Sequence, residues 1–417
     1  MENSNRYRFV IQTSVILVQA SVALIWGSAG PLLPLMMQAF GITQGTAGWF
    51  AAVAPLTIAV VSVPAGMIAA RRSLKRTFAF GAFLQGGGIL ALAASTYVPV
   101  LLTRVIFAAG TAITGPIATA IAAQWFTSRK LPAVNGVMMS FNNLANAIAS
   151  IATVPIATIL SWKAPMVAYG AFALTCATLW VIVGKDAPVA PPQTDMRPTR
   201  TKDERPDLSF RQVVRHRSTV LLAVAVVGSW CLGNSIGSWL PTYYHQVFKM
   251  PLEKASSIMS IVTIGGTVGC LAGGMLPMRV GRRRPFIVIP GIMMGVTALC
   301  AVFFNNPLVM YPSAALFGMF GNLQNPSLFT MPMELPDMSV RSGVVVIAIM
   351  QCVGNLGNFV GPLMVGYLVD LTGSFLPGFV AATAASLSLL IAGLMVPETG
   401  PRGVKQPSIG TVEVASK

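Results

Sequence analysis

The chain has 417 residues, of which 54% are hydrophobic and only 10% are charged, and its mean hydropathy is +0.70. Soluble domains usually carry about 25% charged residues, so this composition excludes a soluble globular protein and indicates an integral membrane protein. The formal net charge of +16 would suit a nucleic-acid-binding protein, but the basic residues follow a membrane topology, and no nucleic acid partner is expected.

Long apolar runs predict twelve transmembrane helices, because roughly 20 apolar residues are needed to cross a bilayer. In chain order the predicted spans are 11–36, 46–69, 78–97, 100–123, 134–158, 164–184, 218–241, 255–277, 285–305, 308–332, 343–368 and 376–396. With this threading, 24 of the 28 Lys and Arg residues lie in loops on one side, three lie on the other, and Arg104 lies within a span. Basic loops stay in the cytoplasm, so both termini are predicted to be cytoplasmic, in a multi-pass protein of the inner (plasma) membrane.

A hydrophilic stretch at 185–217 divides the predicted spans into six and six. The predicted organisation is a six-helix bundle at 1–184, a cytoplasmic linker at 185–217, a second six-helix bundle at 218–396 and a cytoplasmic tail at 397–417. The halves repeat, because GMIAARRSLKR from Gly66 answers GMLPMRVGRRR from Gly274, and Gly110 answers Gly318, both at an offset of 208. Because each half has an even number of spans, both halves enter the membrane from the same side. We therefore expect two pseudo-symmetric bundles related by an axis along the membrane normal.

The repeated stretch also carries a specific resemblance. In the major facilitator superfamily the loop between spans 2 and 3 reads roughly G-x-L-a-D-r-x-G-R-r, and both copies in this chain resemble it. The matching residues are Gly66, Arg71 and Lys75 in the first copy and Gly274, Arg279, Gly281, Arg282 and Arg283 in the second. The chain is similar to that superfamily over its whole length, which implies its twelve-helix fold and a cytoplasmic gate at these positions. The acid of the signature is missing from both copies, where Ala70 and Met278 stand, so Glu334 and Asp337 become the candidate partners of the second-copy arginines.

Three further stretches resemble one branch of the superfamily. WLPTYY after span 7, MELPDMSVRSG after span 10 and NLGNFVGP in span 11 are similar to the branch that carries small anions and organic acids, including the relatives of cyanate permease. Span 5 reads ANAIASIATVPIATIL and lacks the glycines of the drug-antiporter branch. The resemblance therefore implies an anion transporter more than a drug exporter.

The charges within the predicted spans point the same way. No Asp or Glu lies well inside a span, so a cationic solute would find no counter-ion, whereas Arg104 offers five N–H donors to an anion. Arg104 has a structural alternative, in which it reaches the membrane surface or bonds to backbone carbonyls across the bundle. An anionic or neutral solute is expected.

Polar side chains share single helix faces in spans 5, 7 and 11, and span 10 carries the amides Asn322, Gln324 and Asn325. They are expected to face inward, either as hydrogen-bonding links between helices or as contacts to a solute. In span 10 the amides precede Pro326, which suggests a locally broken helix beside a cavity. With two tryptophans in spans 1 and 7, the candidate substrate-binding residues are Trp26, Arg104, Asn142, Asn143, Asn146, Trp230, Asn234, Asn322, Asn325, Gln351, Asn355 and Asn358.

Near the end of span 7, Trp239, Tyr243 and Tyr244 are interpreted as part of the aromatic belt at the membrane surface. The predicted protein is an all-α secondary transporter that moves a small anionic solute by alternating access. It is expected to be a monomer in the lipid bilayer, with exchange or proton symport as its coupling. The alternative is an exporter of neutral or hydrophobic compounds, which 22 Met and 21 Phe residues would suit. No catalytic pair, metal cluster or cofactor motif is recognised, so neither an enzyme nor a bound cofactor is expected.

Overall fold

The computed structural model describes residues 2–69, 73–126, 131–185, 209–335 and 340–399, and within these ranges all regular secondary structure is helical. The first half contains α1 (Glu2–Gly27), α2 (Ala29–Phe40), α3 (Gln44–Ala69), α4 (Leu74–Gln85), a 3-10 helix (Gly86–Ala93), α5 (Tyr97–Trp125), α6 (Leu131–Ile159) and α7 (Lys163–Val183). The second half contains α8 (Phe210–Arg215), α9 (Arg217–Gln246), α10 (Leu252–Val280), α11 (Pro285–Phe303), α12 (Pro307–Leu323), α13 (Asn325–Glu334), α14 (Val340–Thr372) and α15 (Leu376–Met395). The predicted all-α class is confirmed.

Ten of the described helices are long and apolar enough to cross a membrane. The predicted spans 78–97 and 308–332 are not among them, because each is divided into two shorter helical segments. In the first of these, the 3-10 helix begins with three glycines that pack closely on neighbouring helices, and a Cβ on Gly88 would meet the Met166 carbonyl at 2.5 Å.

The division of the second of these predicted spans follows from a proline. Pro326 has no N–H to donate to the carbonyl of Asn322, and its ring conflicts with that carbonyl. Accordingly α12 ends at Leu323 and α13 begins at Asn325. The predicted break beside the amides of this span is confirmed.

The helices pack mostly within their own half of the sequence. In the first half, α1 packs on α6 and α7, and α5 packs on α3 and α4. In the second half, α9 packs on α14 and α15, and α10 packs on α12. The main contacts between the halves join α3 to α14 and α6 to α10. Under the sequence repeat, α3 corresponds to α10 and α6 corresponds to α14, so these two interfaces are equivalent to each other.

The two ends of the helix assembly differ in how the halves meet. The end that carries Lys75 and Arg282 is called the basic end here, and the end that carries Gly41 and Gly373 is called the opposite end. One buried hydrophobic cluster joins the halves toward the opposite end and includes Leu33, Met36 and Phe50 with Trp239, Tyr244 and Phe375. Toward the basic end, the buried clusters of the described residues each belong to a single half.

Polar and backbone contacts also close the opposite end. The Asp370 carboxylate, at the end of α14, accepts hydrogen bonds from the backbone N–H groups of Gln44 (3.0 Å) and Gly45 (2.9 Å), the first residues of α3. Four N–H groups at a helix start have no partner within the helix, and a carboxylate there also interacts favourably with the helix dipole. Further from this end, near the start of α2, Gly30 packs so closely on α9 that an added Cβ would lie 2.5 Å from the Gly237 carbonyl oxygen.

The aromatic residues near the end of α9 do not form a surface belt. Trp239 and Tyr244 are fully buried, and Tyr243 is 4% exposed. Each donates a hydrogen bond to a backbone carbonyl of another helix, at Pro362, Val302 and Ala301. The surface interpretation was wrong because position along the helix does not show which face is turned inward, and here the face is packed between the halves.

Candidate functional site

A central cavity of about 340 Å³ lies between the two halves. It is lined by residues from both halves, on α1, α2, α3, α5 and α6 and on α9 to α14. Eight of the predicted substrate-binding residues line it, namely Trp26, Arg104, Asn146, Trp230, Asn234, Asn322, Asn325 and Asn358.

Arg104 is 3% exposed and ties three helices of the first half together. Its Nε donates to the Phe50 carbonyl on α3 at 3.3 Å, and its Nη1 donates to the Ile25 carbonyl on α1 at 3.0 Å. The guanidinium carbon lies 4.6 Å from the centre of the Phe50 ring and 5.4 Å from that of Phe107. The structural alternative for this residue is therefore realised, and Nη2 keeps no protein partner within the described part of the chain.

The electrostatics of the cavity depend on this one residue. Among the described residues that line the cavity, Arg104 is the only charged side chain, and none is Asp, Glu, Lys or His. The remaining polar lining consists of amides, serine hydroxyls and two indoles. Such a cavity is positive in sign and rich in neutral hydrogen-bonding groups.

The second half contributes the polar wall of the cavity. On α9, Asn234 donates from Nδ2 to the Asn358 carbonyl of α14 at 2.6 Å, which links the two helices. At the α12–α13 break, Asn322 and Asn325 line the cavity together with Gln324, which is only 1% exposed. Gln324 keeps a helical backbone (φ −73°, ψ −30°), so Asn322 and Asn325, three residues apart, lie on one face of the segment.

The first half approaches the cavity through small residues. Gly27 packs on α6 so tightly that an added Cβ would meet the Asn146 carbonyl oxygen and Oδ1 at 2.9 Å. Trp26 and Trp230 line the cavity from α1 and α9, on opposite sides of the boundary between the halves. The two indoles therefore form walls from opposite halves.

Four predicted residues lie outside the central cavity. Asn142 and Asn143 line a second cavity of about 200 Å³, which shares Trp26 and Asn146 with the central one and extends toward the basic end. Gln351 and Asn355 line neither of these cavities. They share a helix face with Asn358 but lie two turns and one turn nearer to the basic end of α14, where the halves are separate.

Several lining residues gave no signal in the sequence. Met259, Val262, Met294 and Phe317 line the cavity, but apolar residues in an apolar span do not stand out. Gln324 was recognised beside Pro326 without being predicted to bind a solute, although it lines the cavity. Its low exposure depends on packing that the sequence does not show.

The predicted gate residues lie at the basic end. Arg283 forms a two-point ion pair with Glu334, with N–O distances of 2.9 and 3.2 Å, which confirms the predicted pairing of Glu334 with a second-copy arginine. Glu398, which was not predicted, accepts hydrogen bonds from the backbone N–H groups of Arg283 and Arg284, next to the start of α11. All these contacts lie within the second half.

Other predicted gate residues have separate environments. Gly281 ends α10 with φ +72°, a left-handed conformation that favours glycine. Gly274 has open space at its Cβ position, and Gly66 lies in α3. Arg279 and Arg282 are exposed, and Lys75 follows the first residue of α4. Arg71 and Asp337 lie outside the described residues.

Comparisons with known proteins agree with this architecture. Residues 15–345 match the Major Facilitator Superfamily. The chain is 21% identical to the probable sulfoacetate transporter SauU of Cupriavidus necator, over 87% of this chain and 88% of the relative. It is 25% identical to a hexuronate transporter of Bacillus subtilis, over 71% of this chain and 72% of the relative. The crystal structure of the nucleoside transporter NupG has a similar fold, with a TM-score of 0.74 at 15% identity over 92% of this chain and 99% of that chain.

Proposed function

We propose that this chain, which belongs to the major facilitator superfamily, is a secondary transporter of small organic anions. The observation that carries the proposal is the charge of the central cavity, where Arg104 is the only charged residue among the described lining. The family and the relatives make the chain a transporter rather than an enzyme. Two relatives are named for sulfoacetate and hexuronate, which are both anions, and this supports a negatively charged solute.

The contacts that the cavity offers to a dehydrated ion favour an anion over a cation. An ion that leaves water loses hydration, and only an opposite charge or several hydrogen bonds can compensate for that loss. An anion in this cavity gains the free Nη2 of Arg104, the Asn146 amide and the indole N–H groups of the two tryptophans. A cation meets the same arginine, with no carboxylate among the described lining residues to offset it.

Transport is proposed to proceed by alternating access between two six-helix bundles. The contacts at Asp370, Gly30 and the shared aromatic cluster support a state closed at the opposite end. If the basic end is cytoplasmic, as the distribution of Lys and Arg predicts, this is an inward-facing state. Rocking the halves about the equivalent α3–α14 and α6–α10 interfaces would expose the same cavity to the other side.

The proposal is tested by ligand-induced stabilisation of the purified protein. A ligand that binds the folded state stabilises it by about 2.7 kcal/mol at 100 times its Kd, so the apparent Tm is measured against carboxylates, inorganic anions, amines and drug-like neutral compounds. We expect stabilisation by carboxylates that is lost in Arg104→Ala and weakened in Arg104→Lys, which keeps the charge but loses the planar donor geometry.

A matched control separates charge from packing. Removing Arg104 leaves the Ile25 and Phe50 carbonyls without these hydrogen bonds, so each variant is compared with its own ligand-free Tm. Phe107→Leu loosens the packing around the guanidinium while keeping its charge, and it is expected to lower the baseline Tm yet retain the carboxylate response. An unchanged carboxylate response in Arg104→Ala would overturn the proposal.

The cavity lining also favours a second candidate, export of neutral or hydrophobic compounds. Met259, Met294, Phe317 and the two tryptophans give the cavity a flexible apolar part, which suits solutes of varied shape. In the same measurement, this function predicts stabilisation by lipophilic neutral compounds alone, with no dependence on Arg104.

A further inference from the structure

The amides on the second-half wall of the cavity have a common orientation. Four of them have their NH₂ group bonded to an oxygen of the protein. The donors and acceptors are Asn234 Nδ2 with the Asn358 carbonyl (2.6 Å), Asn322 Nδ2 with the Gly318 carbonyl (3.1 Å), Gln324 Nε2 with the Gly321 carbonyl (3.1 Å) and Asn325 Nδ2 with Asn322 Oδ1 (3.5 Å).

Backbone carbonyls fix three of these orientations. A backbone carbonyl only accepts hydrogen bonds, so turning the amide of Asn234, Asn322 or Gln324 by 180° would place two oxygens against each other. The orientation of Asn325 follows from that of Asn322, whose Oδ1 is left facing it and needs a donor. The nitrogen side of each amide is therefore turned toward the protein.

Three amide oxygens remain without a donor in the described part of the chain: Asn234 Oδ1, Gln324 Oε1 and Asn325 Oδ1. Buried polar atoms are nearly always hydrogen-bonded, so an orphaned oxygen beside a cavity takes its donor from whatever fills the cavity. Asn234 Oδ1 is not among the fully buried atoms, whereas the oxygens of Gln324 and Asn325 are covered by protein in this state, so we expect the cavity wall around them to shift when a solute binds.

We propose that this wall, formed by Asn234, Gln324 and Asn325, is a hydroxyl-recognition subsite, so that the transported anion is a hydroxy acid. The carboxylate lies toward Arg104 in the first half, and one or more hydroxyl groups donate hydrogen bonds to the amide oxygens of the second half. The subsite rests on the proposed function, because it defines which organic anions the same cavity prefers. The two relatives named above differ on this point, since hexuronate carries hydroxyl groups and sulfoacetate carries none.

The amide oxygens also determine which chemical group of the solute binds to them. An amide oxygen is an acceptor with partial negative charge, so it disfavours a carboxylate and favours an O–H group. An ammonium group would donate as well, but its charge would find no carboxylate among the described lining and would repel Arg104. A neutral hydroxyl satisfies the oxygens without that cost.

Matched dicarboxylates test the subsite. Succinate, malate and tartrate share a four-carbon chain and carry zero, one and two hydroxyl groups, and aspartate replaces the hydroxyl of malate by an ammonium group. Their Kd values are measured on the purified full chain by ligand-induced stabilisation. We expect malate to bind at least about tenfold more tightly than succinate, the order of one hydrogen bond to an otherwise unpaired oxygen, and aspartate no more tightly than succinate.

Substitutions then test which residue causes the preference for malate over succinate. Gln324→Met keeps the length of the side chain but removes its oxygen, and the ratio of the succinate Kd to the malate Kd is expected to fall to about 1–3. Asn355→Leu is the control, because Asn355 is also an amide that donates to a backbone carbonyl, that of Gln351, but it lies outside both cavities. It is expected to leave the ratio unchanged.

The outcomes separate this inference from the proposed function. Equal binding of succinate and malate to the unsubstituted chain, with both still dependent on Arg104, would overturn the hydroxyl subsite and leave the anion transporter standing. Stronger binding of aspartate than malate would also overturn it. Absence of stabilisation by every anion would contradict the proposed function and this inference together. The comparison within the unsubstituted chain does not depend on the folding of any variant.

Discussion

Gly30 provides a direct way to open the closed end of this protein. It lies on α2, and its absent side chain allows α2 to approach α9 of the other half. In Gly30→Ala the new Cβ would lie 2.5 Å from the Gly237 carbonyl oxygen, where an ordinary contact begins at 3.4 Å. The obstacle is backbone rather than a flexible side chain, so the two helices must separate by about 0.9 Å, the difference between these two distances.

The expected energy follows from overpacking. Forcing an extra methyl group into a close-packed contact costs typically about 1–3 kcal/mol. The cost falls on the closed state alone if the halves part at this point when the opposite end opens. A bias of that size changes a two-state equilibrium about 5- to 150-fold in favour of the state open at the opposite end.

Thiol accessibility reports the change. The five native cysteines are replaced by serine, and Met259→Cys places one thiol in the cavity lining. A membrane-impermeant maleimide is applied to intact cells, on the side that the opposite end is proposed to face. We expect Gly30→Ala to raise the labelling rate by at least about fivefold, the lower bound of the estimated shift.

Gly237→Ala is the matched control on the facing helix, since nothing lies within 4 Å of its Cβ position. It makes the same helix-favouring exchange without the clash and is expected to label at the starting rate. Equal labelling rates in the two variants would refute the closure that the Gly30 contact implies.

Three further predictions concern contacts at the two ends. Asp370→Asn removes the charge that caps α3 and is expected to raise the rate of maleimide labelling at Met259→Cys about 2- to 10-fold. Its control is Glu253→Gln, which lies at the same end without that contact and is expected to leave the labelling rate unchanged. Trp239→Phe removes the buried hydrogen bond to the Pro362 carbonyl and is expected to cost about 1–3 kcal/mol of stability, seen as a lower apparent Tm. A double-mutant cycle of Arg283→Gln and Glu334→Gln, followed by thermal stability, is expected to give a coupling energy of about 1 kcal/mol, and additive effects would contradict the ion pair.

Charge and helical periodicity were sufficient to predict much of the cavity lining. Arg104 stands alone in an apolar span, and amides in apolar helices must face inward, so both signals come from the cost of burying polar groups. Pro326 likewise predicted the helix break, because the missing N–H is a property of the residue itself. These features depend on single residues or single helices.

Features that depend on packing between helices could not be predicted from the sequence. Gln351, Asn355 and Asn358 share one face of α14, but only Asn358 lies at the depth of the cavity. Trp239 was assigned to the membrane surface although it is fully buried between the halves. The tilt and the relative depth of the helices decide both cases, and a periodic pattern contains neither.

The central claim is that a single buried arginine makes this cavity a carrier of organic anions. Uptake of radiolabelled malate into proteoliposomes tests it most directly, with the unsubstituted chain compared with Arg104→Lys and Arg104→Gln. We predict saturable uptake that falls in Arg104→Lys and is abolished in Arg104→Gln, which is neutral and shorter but keeps a hydrogen-bonding end. Malate uptake at the same rate in Arg104→Gln would contradict the account.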